Sequence, residues 1–335
     1  MIQTRVFGRL GDVNIIEATL VSEGASVSIL NYGCIIRDWR VKTADNDLPV
    51  VLGLDRFDDY LEHLASGGTI CGRVGNRIGR GQFSLNGRDY QLPLNDGRNH
   101  LHGAHGLGLR VWDMTPNEAD NSVTLTYHSP DGEEGYPANV DFTIIMRLDG
   151  TKLTFEMHGM PDAPTPINLA QHNYYNLDGD GSVRDHVSHY AALKHTVVDD
   201  ELIPTGQIAS VAGTRFDFTQ PTSFAQNDPD REGVDMNLVL DTARDATRPV
   251  AVVTSDKSKL KLQLWTDQPG LQIFNAPTMD IPKIGLDGRS YGNFGGFCLE
   301  PQHFPDSVNQ PSWPSTIATP EQPYYQKLVV DIAPY

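Results

Sequence analysis

Alternation of apolar and polar residues runs through most of this 335-residue chain, and it sets the expected architecture. In "SVTLTYHS" Val123, Leu125 and Tyr127 share one face of a strand. Phe142, Ile144, Met146 and Leu148 alternate up to Asp149-Gly150, and Leu153, Phe155 and Met157 resume beyond it. Asp-Gly between two such runs predicts a hairpin, because both central turn residues must tolerate positive φ. "KLKLQLWTD" alternates Leu260, Leu262 and Leu264 against lysine and glutamine, and "QKLVVDI" reads as a closing strand. The one helical periodicity lies in "DRFDDYLEHLAS", with Phe57, Tyr60, Leu61 and Leu64 expected on one side. Short strands punctuated by 31 glycines and 22 prolines predict stacked antiparallel sheets. With no repeat, linker or low-complexity tract, residues 1–335 read as one large β domain.

Composition narrows the partners. A formal net charge of −17 repels nucleic-acid backbones and anionic membranes and suits a neutral ligand. The three cysteines, Cys34, Cys71 and Cys298, lack CxxC spacing and are expected to be buried, reduced thiols. No secretory leader or membrane-length apolar run is apparent, so a cytoplasmic location is the default expectation.

Candidate chemistry gathers in a few polar stretches. "CGRVGNRIGRG" (71–81) lacks a P-loop ending and dinucleotide spacing; it is either a turn with surface arginines or a loop bringing Asn76 and Arg77 to a small polar ligand. "NHLHGAH" (99–105) offers His100, His102 and His105, which could ligate a metal, bind hydroxyls or be plain loop residues. In "PINLAQHNYYNLDG" His172 sits among amides and tyrosines, including Tyr174, a mixture suited to a ligand that is part ring and part hydroxyl. Asp235, with Asn237, precedes an apolar run, where an aspartate is ordinarily a turn or cap residue. Gln272 lies inside an apolar strand and needs a partner. Glu300 closes the run Phe297-Cys298-Leu299 and is followed by Pro301; a carboxylate buried there is costly unless paired.

Taken together, "GRVGNRIGRGQF", "NHLHGA", "SPDGEEGYP", "PINLAQHNYYNL", "LIPTG", "PGLQIF" and "CLEPQHFPDSVNQP" resemble the aldose 1-epimerase (galactose mutarotase) family from about residue 30 to the C-terminus. The resemblance implies an all-β supersandwich with few short helices, no cofactor and no catalytic metal. It implies Glu300 as general base and His172 as general acid, with sugar contacts from Asn76, Arg77, His102, Tyr174, Asp235 and Gln272. The substrate implied is a free monosaccharide, and the protein a monomer or homodimer. Around the acid this chain reads Ala170-Gln171-His172-Asn173 where the family commonly has Thr-Asn-His-Ser, and Asp235-Met236-Asn237-Leu238 replaces Asp-His-Asn-Phe.

The implied pair suits the chemistry. Anomer exchange removes a proton from the C1 hydroxyl, delivers one to the ring oxygen and breaks the C1–O5 bond; closure on the other face of C1 reverses both transfers. One base and one acid suffice, and His102 or Arg77 near the ring oxygen would stabilise developing negative charge. Four rivals remain at this point: a non-catalytic sugar-binding domain, a retaining glycoside hydrolase using Glu300 and Asp235, a metal enzyme built on His100, His102 and His105, and an epimerase of phosphosugars drawing on Arg73, Arg77 and Arg80.

Overall fold

The computed structural model describes residues 2–64 and 66–335. Among these, the alternating runs become strands of a nine-stranded sheet. Its order is Asp113–Asn117, Ser122–Ser129, Val140–Asp149, Lys152–Pro161, Tyr324–Pro334, Leu260–Thr266, Ala251–Ser255, Val187–Tyr190 and Thr222–Ser223. Neighbours throughout are antiparallel. The closing strand runs not along an edge but between Lys152–Pro161 and Leu260–Thr266.

The expected hairpin forms, with its turn one residue later than expected. Asp149 pairs with Lys152, so the two loop residues are Gly150 and Thr151, and of these only Gly150 has positive φ, 58°. The aspartate is the last paired residue of the strand, and glycine takes the left-handed position that costs it nothing.

A second sheet is an N-terminal meander of five strands, Gln3–Leu10, Val13–Val21, Ala25–Leu30, Ile36–Lys42 and Asp47–Pro49. The third, also of five, runs Pro204–Ser210, Lys194–Val198, Asp235–Val239, Gly270–Phe274 and Cys298–Gln302. One apolar cluster joins all three: Leu20, Val27 and Trp39 from the meander, Leu125, Phe142, Phe155, Leu262 and Val330 from the large sheet, and Leu238, Leu271, Ile273 and Leu299 from the third. Each such side chain removed from water contributes about 1.5–3 kcal/mol, so sheet-on-sheet burial dominates the stability. This is the expected β-supersandwich.

The predicted helix spans Phe57–His63, with Phe57, Tyr60 and the following Leu64 buried. Leu61 corrects the expectation: it is 40% exposed. A seven-residue helix offers a narrow edge, and this one packs that edge on Ile15, Leu30 and Tyr32, leaving Leu61 outside. Ala65, within the same stretch, is outside the described residues. No helix among the described residues is long and apolar enough to cross a membrane. All three cysteines are free and buried, as expected.

Candidate active site

The third sheet places the polar residues by simple alternation. Met236, Leu238, Leu271, Ile273 and Leu299 point into the core, so Asp235, Asn237, Gln272, Cys298 and Glu300 occupy the opposite face. Register then aligns them across strands: Asn237 lies opposite Gln272, and Gln272 opposite Glu300. Asp235 is therefore a strand residue and not the turn or cap that its sequence context suggested. Its Oδ1 accepts from Gln272 Nε2 at 2.5 Å, which supplies the partner that the buried amide required.

Loops cover this face. The segment after His172 is tied to the strand before Cys298, because Tyr175 and Phe297 exchange both backbone hydrogen bonds, at 2.7 and 2.9 Å. His172 is fixed from its other side, its N–H donating to Thr69 O at 2.9 Å and its carbonyl accepting from Gly68 N at 2.8 Å. These ties carry His172 Nε2 to 3.7 Å from Glu300 Oε1, with both side chains almost fully buried. Beside the pair, Glu300 Oε2, Gln272 Oε1 and Asn237 Oδ1 have no partner among the described residues, and further along the strand neither amide atom of Gln302 has one. Buried acceptors left unpaired in one place are costly, and a hydroxyl-bearing ligand would satisfy the three beside the pair.

Burial sets the protonation of the pair. It pushes the Glu300 carboxyl well above the ordinary carboxylate range, Asp235 repels the charge further, and Arg77 opposes both. His172 is lowered to about 4, again by burial. Both shifts disfavour the charged form of each group.

His102 adds a donor. Its Nδ1 accepts from the Asn76 backbone N–H at 3.2 Å, and burial keeps the ring uncharged, which leaves the proton on Nε2. Its ring stands edge to face with His172, centroids 5.0 Å apart, while Tyr174 lies 5.1 Å from His172 on another side. Gly103, next in the chain at φ 74°, lets this loop approach: a Cβ there would lie 1.9 Å from the Gly72 carbonyl oxygen. Arg77 is held by Asp96, Nε to Oδ2 2.7 Å, and Asn76 Oδ1 accepts from its backbone N–H. Asn76, Arg77, Asp235, Asn237 and Gln272 line one narrow cleft. A larger groove beside Trp265, Tyr325 and Lys327 contains none of these groups.

Other expectations are corrected. Arg73 is no surface arginine: it is 2% exposed, and its guanidinium donates to Ser129 Oγ and to the carbonyls of Ser129, Pro130 and Pro137 at 2.8–3.0 Å. It straps the "SPDGEEGYP" segment beneath the loop that carries Asn76 and Arg77. Truncating it strands several buried acceptors, so Arg73→Ala is expected to cost about 3 kcal/mol or more in urea unfolding; an unchanged midpoint would contradict the strap. The three histidines do not converge either. His100 is buried, with Nδ1 on Pro93 O at 2.7 Å and Nε2 on the Tyr136 hydroxyl at 2.8 Å, and His105 is exposed. His172, Cys298 and Glu300 do cluster, but the sulfur faces Nδ1 and the carboxylate faces Nε2, so neither nitrogen faces both. Asn237 and Cys298 belong on the polar face and were not among the expected site residues; their i, i+2 spacing from Asp235 and Glu300 was the available signal.

A sequence profile described as aldose 1-epimerase matches residues 17–331. The chain belongs to the aldose 1-epimerase family. It is 37% identical over 327 residues to a galactose mutarotase of Bos taurus, covering 95% of each chain. It is 33% identical to an aldose 1-epimerase of Haemophilus influenzae, covering 88% of each. Among solved structures, a GalM/aldose epimerase homologue from C. elegans superposes with a TM-score of 0.88 at 26% identity, over 95% of this chain and 99% of that one. The protein is thus an isomerase that interconverts sugar anomers, as the family requires, and the β-supersandwich is the family's fold.

Proposed function

We propose that the whole chain acts as one unit on a free, neutral aldose, galactose or glucose, with Glu300 as the base and His172 as the acid. The observation that carries this reading is the buried Glu300–His172 pair, 3.7 Å apart, beside three unpartnered acceptors on one sheet face. Glu300 Oε2 takes the proton of the C1 hydroxyl, and the imidazolium of His172 gives its Nε2 proton to the ring oxygen as the C1–O5 bond breaks, which leaves the neutral ring with its proton on Nδ1. C1 turns, the ring closes on the other face, and the protons return. Gln272 and Asn237 accept from sugar hydroxyls, and His102 donates through Nε2–H. Neutrality of the substrate follows from the arginines: Arg73 is fully engaged on neutral acceptors and Arg77 is paired with Asp96, leaving no basic cradle for a phosphate. The mammalian relative's name, galactose mutarotase, favours galactose as the first sugar to try.

Exchange spectroscopy on equilibrated galactose tests this directly. Cross-peaks between the two anomeric proton signals should appear at catalytic enzyme concentration, and their absence with both galactose and glucose would reject the assignment.

The pH profile has a defined sign. The reactive form carries one proton in the pair, on His172 and not on Glu300, so kcat/KM falls on the acid side, where a second proton closes Glu300, and on the alkaline side, where the last proton leaves. Because Glu300 is raised, the alkaline limb lies above the ordinary carboxylate value of about 4.5. A kcat/KM that holds a plateau well into the alkaline range would contradict the pair, since no proton would be left for His172 to give.

A further inference from the structure

We propose that Cys298 is a positioning residue whose sulfur holds Nδ1 of the His172 ring, so that Nε2 is the nitrogen that gives the proton to the sugar and recovers it. The proposal rests on the reading of His172 as the acid. Cys298 and Glu300 stand two residues apart on one strand and so share the polar face, and Cys298 Sγ lies 3.6 Å from His172 Nδ1. Both side chains are buried.

The direction of the bond follows from chemistry. A thiol is a weak donor and a weak acceptor. Burial, with the charges of Glu300 and Asp235 nearby, keeps the sulfur protonated. Once the ring has given its Nε2 proton, the remaining ring proton is on Nδ1, which donates to a sulfur lone pair and leaves Nε2, the nitrogen that faces Glu300, free to recover a proton. When the ring carries two protons, Nδ1–H donates to a sulfur lone pair, and the same contact survives.

A carboxylate at this position would behave otherwise. It would hold the imidazole cationic and resist the proton transfer that the reaction needs. A thiol fixes orientation without binding the proton, which suits a group that must give a proton to the ring oxygen and recover it in each turnover. The mechanism uses this buried cysteine in no other way, and its deep burial excludes reaction with bulky reagents.

The test compares Cys298→Ala with Cys298→Ser, since serine retains a donor and acceptor. Alanine is expected to lower kcat about five-fold, the size of one lost hydrogen bond, with KM within two-fold of wild type. Serine is expected to recover most of that loss. Imidazole ¹⁵N spectra of the free enzyme should show the Nδ1–H form of neutral His172 in the wild type and the serine variant, and a mixture of tautomers in the alanine variant. Equal kcat in all three proteins, or an unchanged tautomer in the alanine variant, overturns the proposal. If His172→Asn itself keeps wild-type turnover, the assignment of the acid fails instead, so the two failures are distinguishable.

Discussion

Replacing Glu300 with glutamine is expected to abolish nearly all turnover while leaving the fold intact. The amide keeps the shape of the side chain and a hydrogen-bonding oxygen toward the sugar, but it cannot accept the C1 proton. Removing a positioned base costs about 10²- to 10⁴-fold, and a loss near 10³ corresponds to about 4 kcal/mol of transition-state stabilisation. Stability should move the other way. Glu300 is 2% exposed, its Oε2 has no partner among the described residues, and its folded pKa is raised above the unfolded value. A group of that kind opposes unfolding least once pH exceeds its folded pKa, because the buried charge must then be carried. Glu300→Gln removes that penalty, so its Tm should equal or exceed wild type at neutral and alkaline pH and lose the advantage in acid. Turnover within ten-fold of wild type would show that another group takes the proton.

His172→Asn is expected to give the second largest effect, a fall in kcat of about 10²-fold or more with a smaller change in KM. Asparagine can still donate to a ring oxygen, so part of the binding contact survives, but it cannot release a proton there. Steady-state kinetics separates these roles: a rise in KM at constant kcat would make His172 a contact and not the acid.

Much of this was legible because alternation governs both core and site. A period of two placed Leu260, Leu262 and Leu264 inward, and the same period puts Asp235, Asn237, Gln272 and Glu300 on the outer face of their sheet. Across-strand register is invisible in one sequence, and it is register that sets Gln272 opposite Glu300 and Asn237 opposite Gln272. The partner of Glu300 came from family resemblance, since the Tyr175–Phe297 pairing that brings His172 to it spans over a hundred residues. Arg73 escaped notice for a related reason. Glycine and charge in "CGRVGNRIGRG" look like a surface turn, and only the distant Ser129–Pro137 segment turns that arginine inward. His100 and His102 share strand parity in an extended segment, yet His102 adopts a left-handed backbone, φ 55°, which breaks the shared face and sends one ring to the site and the other to Tyr136.

Polarimetry of freshly dissolved α-D-galactose and α-D-glucose, with and without enzyme, bears most directly on the central claim. The account predicts a faster approach to the same final rotation, abolished by Glu300→Gln and strongly slowed by His172→Asn. No acceleration with either sugar, or an acceleration that survives Glu300→Gln, would contradict it.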